Sequence, residues 1–175
     1  KMGIKREDLI VVSVMPCLAK KFESERDEFR TNGDPDVNYS ISTRELAALI
    51  KQTNINFMQL ENEDFDAPLG ESTGAAVIFG ASGGVMEAAL RTCYAVLMGK
   101  NPDMDTFQIV RGQKGWKEAE FTLGNKTLKL AVASGLSNAA SLMEAIQLGK
   151  ASYDFVEVMA CPGGCVAGAG TNIAV

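Results

Sequence analysis

Apolar runs and amphipathic stretches alternate along the chain, and their lengths predict an alternation of strands and helices. Strands are predicted where β-branched and apolar residues cluster between turn residues, at 10–16, 107–110, 117–123, 128–134 and 154–160. Gly124 and Asn125 separate two of these runs and predict an antiparallel hairpin. The apolar segment 75–79 predicts one further strand or a buried extended stretch.

Helices are predicted where apolar residues recur three and four positions apart, at 17–29, 42–53, 83–98 and 137–148. Ser42 is a suitable N-cap for the second helix, because Glu45 stands at the third helical position of a capping box. Gly99 is expected to end the third helix, and Ser137 and Gly149 to begin and end the fourth. Turn-forming and acidic residues predict surface loops at 30–38 and 54–72.

This order of elements predicts an α/β fold, with a small, mostly parallel sheet flanked by helices and one antiparallel hairpin. At 175 residues the chain is long enough for one domain or two small lobes. Ligands of such sheets bind at the carboxyl ends of the strands. The runs 10–16 and 154–160 each lead into a cysteine, so we expect both strands to lie in one sheet with both cysteines at its carboxyl edge.

Composition narrows the class of protein. Apolar content of 46% and charged content of 22% are typical of a soluble globular protein, and no apolar run has the length of a membrane span. A net charge of −5 argues against nucleic-acid binding. Four cysteines are too few for a disulfide scaffold, which favours thiolates and the cytoplasm, with the periplasm as the alternative. The sequence begins at Lys1, close to a predicted strand, and we expect it to be part of a longer polypeptide.

Histidine is absent, so thiolates and carboxylates are the metal-binding groups that the sequence offers. Cysteines follow predicted strands in two stretches, Met-Pro-Cys-Leu-Ala-Lys-Lys-Phe-Glu at 15–23 and Glu-Val-Met-Ala-Cys-Pro-Gly-Gly-Cys at 157–165. Thiolates at strand ends suit a soft metal or an iron–sulfur cluster, and the alternative is three small buried apolar residues. Cys93 differs, because it shares a helical stripe with Leu90 and Leu97 and is expected in the core.

Both stretches closely resemble the second and third cluster-binding signatures of the iron-only (FeFe-type) hydrogenases. Residues 73–91 also resemble part of that family's catalytic domain. The resemblance covers essentially the whole chain, and it implies that residues 1–175 are the C-terminal portion of that domain. The implied reaction is the reversible interconversion of H2 with protons and electrons.

In this family four cysteines hold a four-iron four-sulfur cubane, and one of them bridges to a two-iron unit that carries CO, cyanide and a dithiolate. The resemblance implies that Cys17, Cys161 and Cys165 are cubane ligands and that Cys165 is the bridge. The fourth ligand belongs to a first signature, upstream of the residues present here. We therefore expect no catalysis, and no intact cluster, from this chain alone.

Further site residues are implied by their positions in the matching motifs. Lys20 matches the lysine that anchors one cyanide, whereas we expect its neighbour Lys21 to be a solvated surface lysine. Glu23 is expected either in an ion pair or on a proton path. Three apolar residues are expected to contact or wall the two-iron unit, with plain core packing as the alternative: Met15, Met159 and Phe79. The glycines at 74, 80, 83 and 84 lack the order of a phosphate-binding loop and predict close backbone packing.

The implied partners are H2 and protons, a ferredoxin-like electron carrier and the N-terminal part of the same enzyme. One alternative function is that of the hydrogenase-like iron–sulfur assembly proteins, which lack the two-iron unit. Met15 favours a hydrogenase, because those proteins tend to have a small residue there. The other alternative is a hydrogen-sensing member, suggested by Ala169, which stands where the family usually has the second of three glycines. A β-carbon there would cost about 1 kcal/mol or more if the backbone required glycine.

Overall fold

The computed structural model describes residues 3–67, 74–107 and 116–171, and the chain divides into two compact units. Unit 1 comprises Lys1–Ser72 with Gly168–Val175, and unit 2 comprises Thr73–Ala167. The strands are β1 (Val12–Met15), β2 (Arg30–Thr31), β3 (Asp34–Pro35), β4 (Tyr39–Ser42), β5 (Trp116–Leu123), β6 (Lys126–Ser134) and β7 (Phe155–Met159). The helices are α1 (Ala19–Glu25), α2 (Thr43–Gln52), α3 (Ala75–Ile78), α4 (Gly84–Met98) and α5 (Leu136–Gln147).

Unit 1 is built on the parallel pair of β1 and β4, in which Met15 lies opposite Ser42. The two strands therefore end together, and β1 leads into Cys17 where β4 leads into α2. The predicted capping box is confirmed: the Glu45 N–H donates to Ser42 Oγ (3.2 Å), and the Ser42 N–H donates to Glu45 Oε2 (2.7 Å). The Lys21 ammonium, with further hydrogen bonds from Ser42, lowers the pKa of Glu45 to about 2.

The C-terminal segment of unit 1 lies across the start of α2 and the loop before Cys17. The Gly170 N–H donates to the Pro16 carbonyl (2.8 Å), and the Gly170 carbonyl accepts from the Arg44 N–H (3.1 Å) and the Thr43 hydroxyl (2.6 Å). A β-carbon on Gly170 would lie 3.0 Å from the Pro16 oxygen and 3.0 Å from Ser42 Cβ, which leaves almost no room.

Ala169 is exposed and is not among the described residues with positive φ. The steric demand for glycine therefore falls on Gly170. The expected cost of a β-carbon at Ala169 is wrong, because that side chain points to the outside of the segment.

Unit 2 contains a three-stranded sheet in the order β5, β6, β7. The hairpin of β5 and β6 is antiparallel and turns at Gly124, where φ is +62°, whereas β6 and β7 are parallel. The second half of β6 is buried throughout, as expected for a strand covered on both faces. Leu130 and Val132 pack with Met86 and Leu90 of α4, and the alternate residues Ala131 and Ala133 pack with Ala139 and Leu142 of α5.

Glu157 ties β7 to the beginning of α4. Its side chain is buried, and its two carboxylate oxygens accept hydrogen bonds from the backbone N–H groups of Gly83 (2.6 Å) and Met86 (2.7 Å). These N–H groups have no carbonyl partner within the first helical turn, so the carboxylate satisfies them and is itself satisfied. One side chain thus joins residues more than seventy positions apart.

The α/β class, the hairpin, and helices α2 and α4 with their caps agree with the sequence predictions, whereas several details were wrong. The strands before Cys17 and Cys161 belong to different sheets in the described part of the chain. The side chains of β1 are not buried, and 41% of Val14 is exposed. Strand β4 was missed, because its alternation of Ser with Tyr and Ile contains no apolar run. Residues 75–78 form a helical turn rather than a strand.

Other differences concern helix ends and loops. Helix α1 is shorter than expected and is followed by a 3-10 turn at Asp27–Phe29, and a small second hairpin joins β2 to β3 within the predicted loop. Helix α5 begins after Gly135 and not after Ser137. Most of the strand predicted at 107–110 lies outside the described residues. No described helix has the length and hydropathy that a membrane crossing requires.

Cys93 is exposed, so its expected place in the core is wrong. The helical stripe of α4 is buried only in its first half, at Met86 and Leu90, while 67% of Leu97 is exposed. The stripe predicted the buried side of the helix correctly but overestimated its length.

The fit of Gly170 generates a prediction about stability. Gly170→Ala should lower the free energy of unfolding by about 1–3 kcal/mol, because the new methyl group must displace Pro16 or Ser42. Ala169→Gly, its neighbouring control, should change stability by less than about 1 kcal/mol. The measurement is urea denaturation of the unaltered protein and the two variants. Equal urea midpoints for all three would show that the C-terminal segment can move to make room for the methyl group.

The buried carboxylate generates a second prediction. Glu157→Gln turns one acceptor oxygen into an amide NH2 that faces a backbone N–H, so stability should fall by about 1–3 kcal/mol. Glu144→Gln on the exposed side of α5 is the matched control and should change stability by less than about 0.5 kcal/mol. Thermal unfolding that gave the same midpoint for both variants would contradict the role of Glu157.

Candidate metal centre

The Cys161–Cys165 loop begins directly after β7 and turns through two glycines. Gly163 and Gly164 have φ of +85° and +105°, and the Gly164 N–H donates to the Cys161 carbonyl (3.0 Å). Residues other than glycine rarely adopt these backbone angles. The loop lies at the carboxyl end of the parallel pair β6 and β7, where Ser134 pairs with Met159.

Backbone contacts clamp this loop against the segment between α3 and α4. The Ser82 N–H donates to the Gly163 carbonyl (3.0 Å), and the Val166 N–H donates to the Gly80 carbonyl (2.9 Å). A β-carbon on Gly164 would lie 2.5 Å from the Gly80 oxygen and 2.6 Å from the Ser82 nitrogen, closer than real atoms approach. The predicted close backbone packing is confirmed at Gly84, where a β-carbon would lie 1.7 Å from the Ile78 oxygen, and is wrong for Gly74, where a β-carbon would meet nothing within 4 Å.

Ser134 fixes the loop from the other side. Its hydroxyl oxygen accepts a hydrogen bond from the Gly163 N–H (2.8 Å). The loop residues between the two cysteines are thus bonded to the end of β6 as well as to Ser82, and the thiols project from a backbone whose conformation is set by the surrounding unit.

The predicted site residues of unit 2 lie around this loop. Neither cysteine forms a disulfide; Cys161 is half-buried and Cys165 is exposed. Met159 is buried at the end of β7, and Phe79, with 47% of its surface exposed, lies directly before Gly80 of the clamp. Two cysteines outside disulfides on a clamped glycine turn fit the cysteine ligands of an iron–sulfur cluster.

The predicted site residues of unit 1 lie at the end of β1. Cys17 is free and half-buried, two residues after the half-buried Met15. On α1 the Lys20 ammonium is bonded to both carboxylate oxygens of Glu23, at 2.6 and 2.7 Å. Both side chains of this ion pair are about two-fifths exposed. The ion pair expected for Glu23 is therefore present. It holds the Lys20 ammonium on α1, the helix that follows Cys17.

Within residues 3–67, 74–107 and 116–171, no three cysteine or carboxylate side chains are grouped as a single metal ion requires. In a cubane each iron takes its own thiolate, so the ligand sulfurs lie farther apart than they do around one ion. The convergence of Cys17 with Cys161 and Cys165 stays a prediction.

Sequence reasoning missed three residues that hold or adjoin the loop, namely Ser82, Ser134 and Glu157. Ser82 and Ser134 are small polar residues whose partners are distant in sequence, so no local pattern marked them. Glu157 carried a signal, since it is the one charged residue within the apolar run of β7. A buried carboxylate requires hydrogen-bond donors, which here are the backbone N–H groups at the start of α4.

Comparison with known proteins agrees with these motifs. Residues 1–169 match the iron only hydrogenase large subunit, C-terminal domain. The chain is 54% identical to the NADP-reducing hydrogenase subunit HndD of Solidesulfovibrio fructosivorans, covering 97% of the chain and 29% of that protein. It is 45% identical to the periplasmic Fe hydrogenase large subunit of Nitratidesulfovibrio vulgaris, covering 99% of the chain and 41% of that protein.

A solved structure of a FeFe-hydrogenase HydA1 variant from Chlamydomonas reinhardtii shares the fold, with a TM-score of 0.77 and 37% identity over 99% of this chain and 51% of that one. A more distant relative, Protein NAR1 of Arabidopsis thaliana, is 32% identical over 97% of the chain and 38% of that protein. The chain thus spans less than half the length of these curated relatives. With its match over residues 1–169, the chain belongs to the family of iron-only hydrogenase large subunits, as part of their C-terminal domain.

Proposed function

We propose that this chain is the C-terminal part of a hydrogenase catalytic domain that interconverts H2 with protons and electrons. The observation that carries the proposal is the clamped Cys161–Cys165 loop after β7, in a chain 54% identical to a hydrogenase subunit. The family binds a four-iron four-sulfur cubane linked to a two-iron unit. When bound, this cluster supplies the redox chemistry and the cleavage of H2.

Cys17, Cys161 and Cys165 are the proposed cubane ligands, with Cys165 as the bridge to the two-iron unit. None of the three cysteines forms a disulfide; Cys17 and Cys161 each lie two residues after a strand end, and Cys165 closes the loop that begins at Cys161. Gly170, which donates to the Pro16 carbonyl, follows Cys165 by only five residues, so a short stretch of chain links the two cysteine motifs. The fourth ligand is proposed to come from the part of the domain that these residues do not include.

Lys20 is the proposed hydrogen-bond donor to an anionic ligand of the two-iron unit. Its ammonium has three protons, so the bonds to Glu23 leave it able to donate elsewhere. Glu23 holds the ammonium in place through this ion pair, and we propose that role for it rather than a place on a proton path. Met15 and Met159 offer polarisable thioethers beside the cysteines, and Phe79 offers an apolar wall.

The proposed partners are the remaining part of the catalytic domain and an electron carrier of the ferredoxin type. No apolar side chain in the described part of unit 1 is fully buried, and Val12, Phe22 and Tyr39 are among those that are exposed. Such exposed apolar surface is what the rest of a domain would cover. We propose the cytoplasm as the compartment, although the relative from Nitratidesulfovibrio vulgaris is periplasmic.

The second candidate is an iron–sulfur assembly factor without the two-iron unit. It is supported by probable cytosolic assembly factors, such as one from Aedes aegypti, that are about a third identical to this chain over nearly its whole length. Met15 and the higher identity to hydrogenase subunits favour the hydrogenase. The hydrogen-sensing alternative rested on Ala169, and the exposed position of that residue removes its support.

The ligand assignment predicts which cysteines retain the cubane. In the complete polypeptide that contains this chain, serine at Cys17, Cys161 or Cys165 should remove most of the cubane, because each change deprives one iron of its thiolate. Cys93→Ser is the matched control: this thiol is exposed on α4, so cluster content should be unchanged. Iron and sulfide analysis with electron paramagnetic resonance provides the measurement. Loss of the cubane from the Cys93 variant alone would overturn the assignment.

The proposed role of Lys20 predicts that its replacement affects the content of the two-iron unit but not that of the cubane. In the complete polypeptide, Lys20→Met should retain the cubane but lower the content of the two-iron unit about 10- to 100-fold, because a thioether cannot donate to an anionic ligand. Infrared bands of bound cyanide and CO report the two-iron unit directly. Lys21→Met, which removes the neighbouring ammonium that pairs with Glu45, is the control and should leave the bands unchanged.

Normal cyanide and CO bands in the Lys20 variant would show that Lys20 is a surface charge with no role in binding the two-iron unit. A complete polypeptide that holds a cubane and shows no cyanide or CO bands in any form, even after loading with the two-iron unit, would favour the assembly-factor function instead.

A further inference from the structure

Ser82 has a buried hydroxyl group without a partner. The residue is 3% exposed, and its Oγ atom has no hydrogen-bond partner within the described parts of the chain. A buried hydroxyl that makes no hydrogen bond is unfavourable, because it loses its bonds to water. Among the described residues, Ser40 Oγ and Trp116 Nε1 also belong to this group, and both residues lie in strands. Ser82 is the one that adjoins a cysteine loop.

The backbone of Ser82 is fixed to the Cys161–Cys165 loop. Its N–H group donates to the Gly163 carbonyl at 3.0 Å, and a β-carbon on Gly164 would lie 2.6 Å from its nitrogen. The hydroxyl is therefore held beside the segment that joins the two thiols. The residue is almost completely buried, so its hydroxyl has little access to solvent.

Neighbouring polar side chains are already bonded within the protein. Both oxygens of Glu157 accept from backbone N–H groups of Gly83 and Met86, and Ser134 Oγ accepts from the Gly163 N–H. Ser82 differs from these residues because its hydroxyl proton has no acceptor among them. None of the described residues supplies this acceptor.

We propose that the Ser82 hydroxyl donates a hydrogen bond to a sulfur atom of the cluster bound by Cys161 and Cys165, and so raises its reduction potential. This inference rests on the proposed function. A hydrogen bond to a thiolate or sulfide stabilises the additional negative charge of the reduced cluster, and such bonds are among the factors that set the potential of iron–sulfur centres. Ser82 is a positioning and tuning residue in this role, and a buried water molecule is the competing acceptor.

The test is a redox titration of the cubane in the complete polypeptide without its two-iron unit, followed by electron paramagnetic resonance. Ser82→Thr keeps the hydroxyl, whereas Ser82→Val has nearly the same shape without it. The valine variant should favour the oxidised cubane about tenfold more than the threonine variant, a fall of about 59 mV for one electron. Ser82→Ala should show a fall of the same sign, and the threonine variant should match the unaltered protein.

Thr92→Val is the control for loss of a hydroxyl elsewhere in unit 2. Thr92 Oγ1 donates to the Ala88 carbonyl within α4, so its removal should leave the potential unchanged. A cubane held by the threonine variant but lost from the valine and alanine variants would also support the inference, since only the hydroxyl distinguishes them.

Equal potentials in the threonine and valine variants would overturn the inference and assign the Ser82 proton to a buried water molecule. Loss of the cubane from all three Ser82 variants would overturn it as well, because the residue would then act through packing. Absence of a cubane from the unaltered polypeptide would instead refute the proposed function, and the inference with it.

Discussion

The close approach of two backbone segments at Gly164 is the constraint on which the candidate site depends. No side chain separates the Cys161–Cys165 loop from residues 80–82, and a single β-carbon would overlap the Gly80 oxygen. The contact brings backbone donors and acceptors together, so the loop is held by hydrogen bonds at both Ser82 and Val166. Thiols on such a loop are positioned before any cluster binds, which lowers the conformational entropy that ligation would otherwise cost.

A related constraint operates in unit 1 by a different route. Gly170 needs no unusual backbone angle, since it is not among the described residues with positive φ, but its α-carbon lies against Pro16 and Ser42. The same residue bonds both the turn before Cys17 and the first turn of α2. The C-terminal segment thus stabilises the loop that presents Cys17. The exposed neighbour Ala169 shows why one glycine of a glycine-rich run can be replaced while the next cannot.

Features that depend on adjacent residues could be predicted from the sequence. The capping box at Ser42, the end of α4 at Gly99 and the hairpin at Gly124 each follow from a few neighbouring side chains. The cysteine motifs were recognisable for the same reason. Strand β4 and the exposure of Cys93 were not, because they depend on which surfaces the rest of the fold covers. The run 75–79 was apolar enough for a strand, yet it pairs with no neighbour and closes a helical turn.

Under the proposed function, the contacts around the cysteines divide into those that would serve any cluster and those that would serve only a two-iron unit. Ser134 and the glycines fix the Cys161–Cys165 loop, and Glu157 joins β7 to the start of α4. These contacts would serve a cubane in a hydrogenase or in an assembly factor equally well. The pair of Lys20 and Glu23 adds nothing to that loop, and its ammonium is suited to an anion rather than to a sulfide-bound iron. Under the proposed roles, the two candidate functions differ at Met15 and Lys20 in unit 1 and at Met159, Phe79 and Cys165 in unit 2.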